Sequence, residues 1–71
     1  MVKLSHVVLK NKMAEQNWTQ NALAEKLNIS DRHIRNLCSK NTDIYVSLCY
    51  RMSRAFGTTM EELLEIQEVS D

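Results

Sequence analysis

The chain has 71 residues, enough for one domain, but a domain of this size buries only about 60% of its unfolded surface and has a thin core. The chain has one Gly and no Pro, a composition that favours helices. It has no apolar run near the ~18 residues that a membrane span needs, so we expect a protein that does not enter a membrane. Net charge is zero, yet residues 1–54 hold nine bases and four acids (+5) whereas residues 55–71 hold five acids and no base (−5). This split indicates a basic working face and an acidic end turned away from it, although acids that merely solubilise a terminal helix would also account for the second half.

The N-terminal sequence and the two cysteines indicate in which compartment the protein works and which kinds of site it can hold. Charged and apolar residues alternate at the N-terminus, unlike a signal peptide, so we expect a cytoplasmic protein whose Cys38 and Cys49 stay as thiols. These cysteines, His6 and His33 lack metal-ligand spacing. No acid pair, nucleophile–base pair or Gly-rich phosphate loop is visible in the sequence, so we expect no enzyme and no cofactor.

The first predicted helix runs from about Leu4 to Glu15. Its apolar positions recur at helical spacing, at Val8, Leu9 and Met13. Asn17 ends the helix, and Trp18 is expected to fold back onto the core.

The second predicted helix runs from Gln20 to Leu27, with Thr19 as its N-cap. Its apolar face is formed by Ala22, Leu23 and Leu27. Asn28 follows, and Asn tolerates the left-handed conformation that ends a helix. Ile29 is then the apolar residue inside a tight turn of about three residues.

The third predicted helix runs from Asp31 to about Ser39, with Ser30 as its N-cap. Its clear core positions are Ile34 and Leu37. The other side chains form an unusually polar face for so small a domain, and they are Asp31, Arg32, His33, Arg35 and Asn36.

The last two predicted helices run from about Ile44 to Phe56 and over residues 59–68. The buried positions of the fourth are expected to be Val46, Cys49, Met52 and Phe56. Gly57 ends that helix, and Thr59 with Glu62 forms a capping-box pattern at the start of the acidic fifth helix. The apolar side of the fifth helix is formed by Met60, Leu63, Leu64 and Ile66.

The polar face of the third helix has the chemistry of base recognition. Arg can contact guanine in a bidentate manner, and Asn can do the same with adenine. Arg32 and Asn36 are four residues apart and therefore share a helix face, as do Arg32 and Arg35 at three. Exposed but idle side chains are the alternative interpretation of this face.

Two stretches carry a resemblance to a known family. TQNALAEKLNIS at residues 19–30, followed by Ile34 and Leu37, resembles the Cro and phage-repressor (XRE) type of helix-turn-helix, a motif of about residues 19–39 here. MSRAFGTTMEELL at residues 52–64 is similar to the family's closing helices. The resemblance covers about residues 4–66, and it implies an all-α, compact five-helix bundle of the phage-repressor DNA-binding domain type, with residues 1–71 as one domain.

The resemblance also implies roles for matching positions. Base-reading positions correspond to Asp31, Arg32 and Asn36, flanked by His33 and Arg35. Phosphate-binding positions correspond to Gln20, Ser30, Lys40, Asn41 and Thr42, of which the last three follow the recognition helix.

The sequence departs from the family pattern at four places. Asn28 replaces the usual Gly, and residues 39–42 lack the common Gly of that loop. Asp31 is a poor neighbour for phosphate, although it can accept a hydrogen bond from cytosine N4 or act as a capping acid. Met13 and Cys38 occupy positions where many members hold a buried Arg–Glu pair, and an apolar pair there avoids burying charge.

We therefore expect a transcriptional regulator, a repressor, that binds double-stranded DNA sequence-specifically with the helix at residues 31–39 in the major groove. A homodimer, at least on DNA, would read two half-sites. The acidic segment 59–68 is a candidate dimer contact, and Tyr45 and Tyr50 are either surface packing or part of one. The alternative function is a protein-interaction module, such as an antitoxin or a partner-dependent regulator on the same fold.

Overall fold

Helices make up most of the computed structural model, which describes residues 1–65. In chain order the elements are β1 (Val2–Leu4), α1 (His6–Gln16), α2 (Gln20–Leu27), α3 (Asp31–Ser39), β2 (Thr42–Ile44), α4 (Val46–Phe56) and α5 (Met60–Leu63). The expected helical class and the five helices are confirmed within these residues. A small sheet that the sequence did not predict is added to them.

The sheet connects distant parts of the chain. β1 pairs antiparallel with β2 in the register Val2↔Ile44, Lys3↔Asp43 and Leu4↔Thr42. On the opposite edge of β1, Leu64 forms a bridge with Leu4, and the backbone N–H of Glu65 donates to the Lys3 carbonyl at 2.9 Å. β1 therefore links the segment after α3 to the segment after α5.

Three predicted helix boundaries were wrong, and the sheet explains them. Leu4 and Ile44, predicted to begin helices, are buried strand residues, so α1 and α4 start later. Leu64 is extended (φ −87°, ψ 151°) because it pairs with β1, so α5 ends at Leu63. Ile66 and the rest of the predicted helix over 66–68 lie outside the described residues.

All five helices contribute to one core. Its fully buried large side chains are Leu4, Leu9, Leu23, Leu27, Ile34, Leu37, Met52, Leu63 and Cys49. Trp18 packs against this core as expected, with its ring centroid 5.2 Å from that of Phe56. Val46 was wrongly predicted to be buried and is 51% exposed, whereas Leu48 and Ser53 face inward on α4. No helix within residues 1–65 is long and apolar enough to cross a membrane.

The predicted capping residues of the helices are confirmed by their backbone geometry. N-caps accept hydrogen bonds at Ser30 and Thr19, and the capping box of Thr59 is present. The residue after α2, Asn28, is left-handed with φ 56°, as are Asn17 after α1 and Gly57 after α4. Local sequence signals therefore place both ends of α2 and α3, the ends of α1 and α4, and the start of α5.

Substitutions of Asn28 test whether its left-handed conformation determines the end of α2. A left-handed conformation costs an ordinary L-residue roughly 1–2 kcal/mol, and Asn and Gly tolerate it better. We expect Asn28→Ala to lower the free energy of unfolding by about 1 kcal/mol and Asn28→Gly to leave it equal or higher. Urea unfolding measures both, with Asn11→Ala, at an exposed position within α1, as the control. Equal losses for Ala and Gly would contradict this account.

Candidate nucleic-acid interface

α2 and α3 are joined by a tight turn of three residues, 28–30. The N–H of Asn28 donates to the Glu25 carbonyl at 3.3 Å, and the N–H of Ile29 donates to the Ala24 carbonyl at 3.0 Å. This pair of bonds is a Schellman ending, which satisfies the last carbonyls of α2 and reverses the chain. Ile29 packs against the core as predicted. The two short helices are thus held in a fixed mutual orientation by their own turn.

α3 is divided sharply between a buried and an exposed face. The residues that point into the core are Ile34, Leu37 and Cys38. The residues that are exposed include all five predicted base-reading side chains, Asp31, Arg32, His33, Arg35 and Asn36. Ile34, in the middle of residues 31–36, is fully buried, and its packing in the core fixes the orientation of the polar face.

The N-terminal ends of α2 and α3 lie side by side. Asn21, the second residue of α2, donates from Nδ2 to both carboxylate oxygens of Asp31 at 3.1 and 3.3 Å. The neighbouring Gln20 is exposed. The hydroxyl of Ser30 accepts from the N–H of His33 at 3.1 Å, so it acts as the cap of α3 and retains its own proton for donation. No sequence pattern marks Asn21 for this role, because its partner is ten residues away in another helix.

The segment after α3 is fixed by a contact with the start of α1. Asn41 Oδ1 accepts from the backbone N–H of His6 at 3.0 Å and lies 2.6 Å from His6 Nδ1. Because a backbone N–H only donates, the shared atom must be the amide oxygen, and His6 Nδ1 must carry a proton. Lys40 is exposed, and the Thr42 hydroxyl donates to the Lys40 carbonyl at 3.0 Å. This leaves the Asn41 amide N–H groups available to a partner outside the protein, and the preceding residue in the chain is the exposed Lys40.

A comparison with models of protein families matches residues 9–63, more than three quarters of the chain, to a family described as helix-turn-helix. This chain belongs to the Cro/C1-type helix-turn-helix family. It is therefore a DNA-binding regulator of the helix-turn-helix kind in general terms. Searches of curated proteins and of solved structures give no significant match.

In this helix-turn-helix protein, α1 and α3 are joined by a contact between two sulfur atoms. The thiol of Cys38 donates to the Met13 sulfur at 3.9 Å, and both side chains are buried. The predicted apolar pairing of these two residues is confirmed. Burial raises the pKa of the Cys38 thiol, and the nearby Lys10 charge opposes that rise only in part.

The buried Cys49 should make the stability of the fold depend on pH. Its side chain is fully buried, and burial raises the pKa of its thiol above the ordinary 9.0. The unfolded chain then ionises first, so the stabilisation is complete below that value and is lost as pH rises through the raised folded pKa. We expect the free energy of unfolding to fall more steeply in the parent than in Cys49→Ala as pH rises above the ordinary pKa of a thiol. Urea unfolding at each pH measures this, and identical slopes would contradict it.

Arg51 is exposed on α4, yet it also makes a structural contact. Its guanidinium donates to the carbonyl of Leu27, the last residue of α2. This bond connects α4 to the end of α2, immediately before the turn of the helix-turn-helix. Arg54, by contrast, extends over the Tyr50 ring, with its guanidinium carbon 6.0 Å from the ring centroid. The two arginines of α4 therefore have different structural roles.

The described residues offer few other places for a site. Within residues 1–65 no cavity opens, and no three His, Cys, Asp or Glu side chains approach closely enough to hold a metal ion. Tyr45, Val46 and Tyr50 are all more than half exposed at the start of α4, so they do not pack inside the protein. The exposed face of α3 is therefore the principal candidate site of the described residues.

Proposed function

We propose that this protein is a sequence-specific transcriptional regulator, a repressor, that binds duplex DNA by inserting α3 into the major groove. The observation that carries the proposal is the outward row of polar side chains on α3, supported from behind by buried Ile34. A helix presented in this way by a helix-turn-helix fits the width of the major groove and meets base edges with its first turns. DNA as the target makes the cytoplasm the proposed site of action, and the proposed mechanism requires neither catalysis nor a cofactor.

The proposed contacts divide into two groups with different consequences. Base edges would be read by Asp31, Arg32, His33, Arg35 and Asn36. Phosphates would be bound by Gln20, Ser30, Lys40, Asn41 and Thr42. The first group sets the sequence that is bound, whereas the second sets the register and orientation of the protein on the duplex. The second group combines Lys40 with uncharged side chains, of which the Thr42 hydroxyl would have to exchange its bond to the Lys40 carbonyl for a phosphate.

We propose further that residues 1–71 act as a single domain and that two copies bind together. One α3 reaches only one half-site, so a homodimer would read two half-sites about one helical turn, roughly 34 Å, apart. An operator with two-fold sequence symmetry is then expected. Sedimentation of the protein with and without the selected duplex measures whether two copies bind.

The decisive experiment is selection of duplexes from a random pool, followed by titration of the selected and a scrambled duplex at several salt concentrations. We expect preference for the selected duplex and a steep loss of affinity with salt, because bound cations displace counterions from the phosphates. Lys40→Ala should weaken binding to both duplexes alike and reduce the salt slope by about one per bound copy. Arg54→Ala removes the same charge from α4 and serves as the matched control.

The outcomes separate this proposal from the alternative. Equal affinity of the parent for selected and scrambled duplexes would refute base reading. Absence of any salt-dependent duplex binding would refute DNA binding itself and would favour a protein-interaction module, for which the exposed Tyr45, Val46 and Tyr50 offer a surface. An effect of Arg54→Ala equal to that of Lys40→Ala would refute the assigned phosphate contact.

A further inference from the structure

The N-terminal ends of α2 and α3 are connected by a hydrogen bond between two side chains. This bond is not part of a helix cap or of the turn between the helices. Asn21 Nδ2 lies 3.1 Å from Asp31 Oδ2 and 3.3 Å from Oδ1. Both side chains are exposed. Within residues 1–65 no Lys, Arg or His nitrogen lies within 4.0 Å of the Asp31 carboxylate. The amide of Asn21 is therefore what holds this carboxylate in place.

The capping interpretation of Asp31 is not needed to explain its position. The hydroxyl of Ser30 already caps α3 by accepting from the N–H of His33. The carboxylate of Asp31 is instead directed toward α2. It stays in the first turn of α3, the part of a recognition helix that reaches base edges.

The orientation of the Asn21 amide follows from charge. Its oxygen would be repelled by a carboxylate, so the N–H groups must face Asp31. An ionised carboxylate has about four lone-pair positions. Two are directed toward Asn21 at most, and the others stay available to a hydrogen-bond donor from outside the protein.

A carboxylate distinguishes the four bases because it can only accept. In the major groove cytosine presents the N4 amino donor, whereas guanine presents two acceptors and thymine one. Adenine presents a donor at N6 beside an acceptor at N7, which would repel the second carboxylate oxygen. Cytosine is therefore the base that suits Asp31 best.

We infer that Asn21 is a positioning residue that orients Asp31 toward the N4 amino group of a cytosine, so that each half-site contains a C·G pair at that place. This rests on the proposed function. Guanine and thymine at the same place are excluded by repulsion between acceptors. Asn21 itself sets how strictly the exclusion operates, because it restricts the rotation of an otherwise free carboxylate.

The test compares the selected duplex with its three single-base variants at each half-site position. The proteins are the parent, Asp31→Ala, Asn21→Ala and the double variant, with Asn11→Ala as the control for loss of an exposed Asn. At one position the parent should prefer cytosine over guanine by about tenfold, and Asp31→Ala should abolish that preference. Asn21→Ala should reduce it at least about threefold, and the double variant should match Asp31→Ala because the two residues act as a unit.

Asp31→Asn provides a readout that a purely structural role would not change. The introduced amide can contact N6 and N7 of adenine together, so the preference at that position should change from cytosine to adenine. Thermal unfolding should stay near that of the parent for every variant, because both positions are exposed.

The outcomes distinguish this inference from the proposed function on which it rests. A parent that selects a sequence but shows no position sensitive to Asp31 overturns the inference and leaves the proposed function standing. Equal loss of affinity for all four duplexes in Asn21→Ala also overturns it. A parent that prefers no duplex refutes the proposed function first.

Discussion

Replacing Arg32 or Asn36 with Ala should weaken binding to the selected duplex by about 1–3 kcal/mol each. Both side chains are exposed on α3, four residues apart, so they extend from the same face. Each can make a bidentate contact, Arg32 with guanine and Asn36 with adenine. The loss should be confined to the selected duplex, because a base contact contributes little to binding of an unrelated sequence. Fluorescence anisotropy titrations against selected and scrambled duplexes measure this difference.

Matched controls separate base reading from charge and folding. Arg54→Ala removes an arginine from α4, and Asn11→Ala removes an exposed amide from α1. Neither should change the ratio of affinities for the two duplexes. If Arg32→Ala lowered both affinities equally, its side chain would be a phosphate contact instead. If Asn36→Ala had no effect, the position would be an ordinary solvated one.

Local signals were sufficient to predict most of the helices. α2 and α3 begin and end at the predicted residues because short-range chemistry determines those boundaries. Thr19 and Ser30 accept hydrogen bonds from N–H groups three residues ahead, and Asn28 adopts the left-handed conformation that was expected of it. Each of these effects involves residues that are adjacent or nearly adjacent in sequence, so the pattern could be seen without a structure.

The sheet could not be predicted in the same way, since its strands have three residues each. Such a segment is too short to show the alternation that identifies a strand. Val2 pairs with Ile44, far along the chain, and that pairing is decided by the closure of the whole fold. Leu4 and Ile44 each lie two residues before a helix, and the apolar spacing inside α1 and α4 does not show where those helices begin.

The site was predictable in its residue types and in the face that carries them, but not in its internal contacts. Exposure of Asp31 through Asn36 around a buried Ile34 follows from helical periodicity. The bond from Asn21 to Asp31 and the contact of Asn41 with His6 connect separate elements. The spacing of residues along the sequence does not predict contacts between separate elements. DNA contact by these residues stays a prediction until it is measured.

Ile34→Ala should have the largest effect on stability of the variants considered. The side chain is fully buried in the middle of α3, and truncation of such a residue costs about 2–5 kcal/mol. A domain of this length has a total stability of about 4–11 kcal/mol, so a large share of it would be lost. DNA affinity should fall with the folded fraction, because only the folded chain presents the polar face of α3. Urea unfolding and duplex titration of the same samples measure both quantities.

Ile34→Val and Arg35→Ala are the controls that separate the effect of Ile34→Ala on stability from an effect on DNA recognition. Ile34→Val removes one methylene group and should cost about 0.5–1.5 kcal/mol while leaving the sequence preference intact. Arg35→Ala changes an exposed neighbour and should leave the free energy of unfolding within about 0.5 kcal/mol of the parent, yet weaken DNA binding. The two faces of one helix would then be separated, with stability on the inner face and recognition on the outer. A stable Ile34→Ala variant with parental affinity would show that the outer face does not depend on that anchor.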